Sequence, residues 1–292
     1  MRVSRSIPDV ALALLLSSLF TDVIVQYSFR HGRLLGPPLY DDVTYFNDGL
    51  QRLDVAEREG LVSVIRSHVQ DPPHSPFATY LAAASFALFG SRDWAPYAGN
   101  VVIVLTFVGF VGYLLREAPR WIRVVIQAFA LTVPLAGVSV FDFKPDMACA
   151  LVTAMGCVLA LEKPLFTVAG RGRSIAVGSC FGLALLIKPS IFALTVILLV
   201  ASILLARACD RRQTADASAR AAMTPSIAWC VATAVLLAAP HFVASGRHYV
   251  HYIRASILAR DKPIPDYAGS VADKALYYVT GPGGRQMLGG HL

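Results

Sequence analysis

The chain has 292 residues, of which 55% are hydrophobic and 15% charged, with a mean hydropathy of +0.56. Soluble domains carry about 25% charged residues, so this composition excludes one water-soluble core and points to a set of membrane-embedded helices. The net charge of +7 does not mark a nucleic-acid binder, because Lys and Arg punctuate the apolar runs instead of forming one patch.

Taken in chain order, residues 8–28 follow Arg2 and Arg5 with a long apolar run, and bulky "QYSFRHGR" comes after it. A cleaved signal needs a short apolar core and a small-residue site, so an uncleaved first transmembrane helix is expected. Further spans are expected at 95–115, 121–140, 146–162, 174–188, 190–206 and 226–245, since a hydrocarbon core about 30 Å thick takes roughly 20 apolar residues per helix. Lys188-Pro189 breaks what would otherwise be one very long helix. The fold class is therefore all-α integral membrane, with about seven transmembrane helices in a single module over 1–292. With the N-terminus cytoplasmic, Arg2, Arg5, Arg116, Arg120, Arg123, Lys163, Arg171, Arg173, Arg207, Arg211, Arg212 and Arg220 fall in four short inner segments. The short outer turns then hold only Lys144 and Lys188, as the positive-inside rule requires. An outer loop, 29–94, and an outer C-terminal segment, 246–292, remain. Within the loop, "FATYLAAASFALFG" (77–90) is too short to span and is expected to lie along the interface or re-enter. The five cysteines sit in or beside the apolar runs, without metal spacing or a disulfide framework.

The loop opens on "GPPLYDDVTYFNDG". A helix through it puts Val43, Phe46, Leu50 and Leu53 on one stripe and Asp41, Tyr45, Asp48 and Arg52 on another. Asp41 or Asp42 can cap that helix. Successive helical residues diverge by about 100°, so the two acids do not share one job, and one is free to face a site. Asp146, after Pro145, suits a first-turn capping position or an acidic site. His74, in "PPHSP", is a candidate for holding a divalent cation or a donor, or is an ordinary loop histidine. Lys188 is a phosphate-binding candidate or a snorkelling lysine. Arg247 and Arg254 share a helical face that either lines a phosphate groove or is merely solvated. His241, His248 and His251 lack zinc spacing, and no metal site is assigned.

Five features in order resemble the polytopic GT-C glycosyltransferases, which include protein O-mannosyltransferases and lipid A aminoarabinose transferases. They are a first helix, the outer "YDDVTY", "PPHSPFATYLAAASFALFG", "KPDMACALVTA" and "LALLIKPSIFAL". "HSPF" departs from the family's usual second proline and leucine, and family members usually carry further spans, so the chain reads as a short or truncated member. The resemblance implies inverting transfer of a sugar from a polyprenyl-phosphate carrier to a glycan, lipid or protein acceptor on the extracytoplasmic face. It implies Asp41 or Asp42 as the base, with Asp41 favoured and Asp42 positioning sugar or acceptor. It also implies that Lys188, which matches the family's lysine there, meets the leaving phosphate. The cofactor is left open, a divalent cation being the candidate, and membrane lipid is a partner. The rival readings are a transporter or flippase-like permease, which would gather polar residues at mid-bilayer helix breaks, and an inactive fragment.

Overall fold

The first span, α1 (Ile7–His31), shows how little of an apolar helix needs protein around it. Leu15, Leu19, Val23 and Tyr27 stay exposed along one face, while Ser17, Thr21, Val25 and Ser28 turn inward. The computed structural model describes residues 7–36, 38, 41–162, 165, 171–213 and 217–253, although some helical side chains within these ranges, that of Asp41 among them, are not described. All regular elements among the described residues are helical.

After α1 come α2 (Asp41–Glu59), α3 (Leu61–Gln70) and α4 (Pro76–Phe89). The short α5 (Ala95–Gly99) runs through Asn100 into α6 (Val101–Leu114), and together they make one membrane-length helix. α7 (Arg120–Ala130) and α8 (Pro134–Phe141) form a pair bent by 62°, where Pro134 cannot continue the helix before it. α9 (Asp146–Leu161) and α10 (Arg171–Ile187) precede the break at Lys188, and α11 (Phe192–Gln213) and α12 (Ala217–Ile253) follow it. A single 3-10 turn, Pro189–Ile191, makes that break, as Lys188-Pro189 predicts.

Among the described residues four stretches are long and apolar enough to cross a membrane: Asp9–His31, Ala95–Leu114, Pro189–Cys209 and Pro225–Arg247. Counted as one span, the bent pair α7–α8 makes five. The other two expected spans are the 16-residue α9 and the 17-residue α10. They are short by length but central by packing. Phe181 and Val177 of α10 are fully buried together with Cys230 of α12 and Ala160 of α9. Gly178 and Gly182 let α10 lie against α12, since a Cβ at Gly178 would come within 2.2 Å of the Cys230 carbonyl. Small residues four apart are the usual device for close helix contact in a membrane.

Of the two places expected for 77–90, along the interface or re-entering, α4 is packed inside protein and not laid on its outside. Ala78, Thr79, Ala82, Ser85 and Phe86 are buried, and α4 sits between α2, α5 and α10. Ala82 lets α2 approach closely at Gly49, and Ser85 lies against Gly99 of α5. The exposed amphipathic helix is α3. It buries no residue and presents Leu61, Val62, Ile65 and Val69 on its outside.

At one end of the bundle Asp9 of α1 meets Arg120 and Arg123 of α7 at 3.1 and 3.4 Å, and Arg116 pairs with Glu162 at 2.5 Å. The N-terminal end of α1, the α6–α7 turn and the end of α9 therefore share one side, the grouping that the basic-residue count requires.

Candidate functional site

The polar residues of the other end come from several helices and the turns between them. α2 begins at Asp41, whose side chain lies outside the described residues, as does the whole of Arg254. Asp42 is fully buried, and the Tyr97 hydroxyl on α5 donates to its Oδ2 at 2.7 Å. Around this contact Phe46, Tyr97 and Phe143 stack edge to face, with centroids 5.3 to 6.2 Å apart. Phe143 belongs to the "FDFKPD" loop that carries Asp146. The N-terminus of α2 is thus fastened to the start of α9 through an aromatic box.

The α3–α4 turn, "DPPHSP", is fastened elsewhere. Ser75 caps α4, accepting from the Ala78 N–H at 3.3 Å, and donates to the Ile187 carbonyl at 2.7 Å. That carbonyl closes α10 immediately before Lys188. Lys188 reaches across to form an ion pair with Asp146 in the first turn of α9. Three of the sequence-predicted residues, His74, Asp146 and Lys188, are therefore brought to one junction by Ser75. Arg247 is exposed near the end of the α12 span and is not drawn into that junction.

A second polar group lies beside the turn. Arg52 is 2% exposed, and its guanidinium donates to Ser67 Oγ and the Asp71 carbonyl, with Asp71 Oδ2 at 4.0 Å. Asp48, one turn before it, is half-buried. Burial raises its carboxyl above the usual value, Arg52 and His74 pull it back, and Asp71 pushes it further up. His68 of α3 stacks on Tyr80 of α4, with Nδ1 2.7 Å from the Tyr80 hydroxyl. Its Nε2 lies 3.2 Å from Nδ1 of the buried His241 on α12. Burial and then Arg52 hold His68 below its ordinary value, so it is the neutral ring that links Tyr80 to His241. Among the described residues no group of three or more His, Cys, Asp or Glu is arranged to hold a metal ion.

Residues 73–243, more than half of the chain, match the family described as dolichyl-phosphate-mannose-protein mannosyltransferase. The chain belongs to this mannosyltransferase family. The match begins in the turn that holds His74, takes in Asp146 and Lys188, and ends within α12. α2, with Asp41, Asp42 and Asp48, and Arg247 lie outside the matched mannosyltransferase residues. No curated protein and no solved structure matches the chain.

Arg52, His68 and Tyr80 carry little sequence signal. Arg52 reads as the solvated end of a polar stripe, and His68 is separated from His241 by 173 residues. The one local hint is the four-residue step from Asp48 to Arg52 on a helix.

Proposed function

We propose that the chain transfers a sugar from a polyprenyl-phosphate-linked donor to an acceptor hydroxyl at the outer face of the membrane, with its N-terminus cytoplasmic. What supports this reading is the junction of the His74 turn, Lys188 and Asp146, which lies inside the stretch matching the mannosyltransferase family. The acceptor oxygen attacks the anomeric carbon from the face opposite the phosphate. The bond between that carbon and the phosphate oxygen breaks, its electron pair leaves with the phosphate, and the configuration inverts.

Phosphate is already a good anion, so no acid has to protonate it. The one proton to be moved is that of the acceptor hydroxyl, and it passes to the carboxylate of Asp41. The hydroxyl acidifies late in an oxocarbenium-like transition state, so an ordinary carboxylate suffices. Asp42, held by Tyr97, fixes the start of α2 and so the place of Asp41. Lys188 meets the leaving phosphate, oriented by Asp146, with His74, Arg247 and Arg254 adding positive charge or hydrogen bonds where the headgroup lies.

Purified full-length chain in lipid vesicles, given dolichyl-phosphate mannose and a hydroxyl acceptor, tests this. Asp41→Asn is expected to lower kcat by about 10²–10⁴-fold with KM for the donor nearly unchanged. Lys188→Ala is expected to weaken both donor binding and turnover. Undiminished transfer in both Asp41→Asn and Asp42→Asn would sink the assignment.

A further inference from the structure

A groove of about 470 Å³ opens between α1 and the α4–α6 wall, lined by none of the candidate site residues above. Its walls are largely apolar: Val25, Phe29, Phe89, Trp94, Ala98 and Val101. Yet α1 also places Ser18, Asp22 and Gln26 in it, at successive turns of one face. All three are exposed. Among the described residues Asp22 has no hydrogen-bond or ion-pair partner. Its neighbours along the outside of α1 are Leu15, Leu19 and Val23, which suit contact with lipid.

Depth decides what can satisfy that carboxylate. Asp22 is nine residues from His31 and thirteen from Asp9 in a 23-residue span. At about 1.5 Å per residue that is about 14 Å from one end and about 20 Å from the other, within a hydrocarbon core about 30 Å thick. A lipid headgroup amine stays at the interface and does not reach so far in. An ionisable side chain at this depth is costly unless it meets an opposite charge or a donor inside the membrane. A second copy of the chain docking by the same face would set carboxylate against carboxylate.

We infer that the Ser18–Asp22–Gln26 face of α1 is a docking groove for a membrane-spanning helix of another protein that carries a lysine or arginine at mid-bilayer. The partner's cation pairs with Asp22. Ser18 and Gln26, one turn to either side, offer hydrogen bonds that fix its register, and Phe29, Phe89 and Trp94 close over its flank. The inference does not rest on the proposed sugar transfer, since none of these residues belongs to that site.

The test uses the full chain in lipid vesicles with fluorescent leucine-rich transmembrane peptides of about 22 residues, one with a central lysine and one with leucine alone. Energy transfer is expected to show the lysine peptide binding about tenfold more tightly than the leucine peptide. Asp22→Asn is expected to abolish that preference and Asp22→Glu to keep it. Circular dichroism and size-exclusion elution check that both variants remain folded. Equal binding of the two peptides would overturn the inference, as would a lysine preference that survives in Asp22→Asn. Asp22-dependent energy transfer between two labelled copies of the chain that excludes the peptide would overturn it in favour of self-association.

Discussion

Asp42 is closed off from water inside an aromatic box, with one of its oxygens on the Tyr97 hydroxyl, whereas Asp48, nearly two turns along the same helix, stays half-buried among His74, Arg52 and Asp71. For Asp48 burial outweighs the nearby positive charges, so the folded state binds its proton more tightly than the unfolded chain does. A carboxyl raised in this way favours folding at low pH, and that contribution is lost as pH climbs from about 3.8 through the higher folded value. At neutral pH the folded protein therefore carries a charged group it would hold better uncharged. Asp48→Asn is expected to raise Tm at pH 7, with a gain that shrinks as the pH is lowered and the native carboxyl takes up its proton. A lower Tm at pH 7 would mean that the attraction of Arg52 and His74 outweighs desolvation.

At the scale of elements, the helix through "DDVTYFNDGLQRLD" was legible from its period, and Phe46, Leu50 and Leu53 do face the core. Its other face was not legible as buried. Whether Arg52 points to water or into protein depends on α3, and α3 itself is hard to see because "LVSVIRSHVQ" puts its apolar side outward. The burial of α4 was equally hidden, since "FATYLAAASFALF" is apolar nearly all round and has no marked face. What holds α4 under α2 is a close approach at Gly49, where a Cβ would stand 2.8 Å from the Ala82 Cβ and 2.9 Å from the Ala83 backbone nitrogen. Gly49→Ala should gain up to about 1 kcal/mol of helix propensity. Overpacking against a backbone atom costs about 1–3 kcal/mol, so the clash wins. A net loss of stability is expected, read as a lower midpoint in thermal unfolding in detergent, and unchanged or improved stability would show that α2 slides freely on α4.

Across the whole molecule the ion pairs among the described residues sort to two ends, with Asp22 of α1 the carboxylate left between them. Asp9 with Arg120 and Arg123, and Arg116 with Glu162, hold one end, while Asp142 with Lys144, Asp146 with Lys188, and Arg52 with Asp71 hold the other. This two-ended order was legible in the sequence because each of these cations follows or precedes an apolar run, and a charge inside a bilayer is costly. The junction that joins His74 to Lys188 was not legible, since it depends on the Ser75 hydroxyl meeting a carbonyl 112 residues away. Nor was the Tyr80–His68–His241 link, whose members come from three helices with no shared motif. The proposed orientation rests on the same sorting. The count of basic residues favours the Asp9–Arg120 end as the cytoplasmic one, which would put the end bearing α2, α3 and Lys188 on the opposite side. Glu59, at the exposed end of α2, reports on this directly. A single cysteine introduced as Glu59→Cys in a chain whose native cysteines are replaced should react with an impermeant maleimide added outside intact cells. Labelling only after the membrane is opened would invert the molecule, put Asp41 and Lys188 on the cytoplasmic side, and remove the outer-face sugar transfer proposed above.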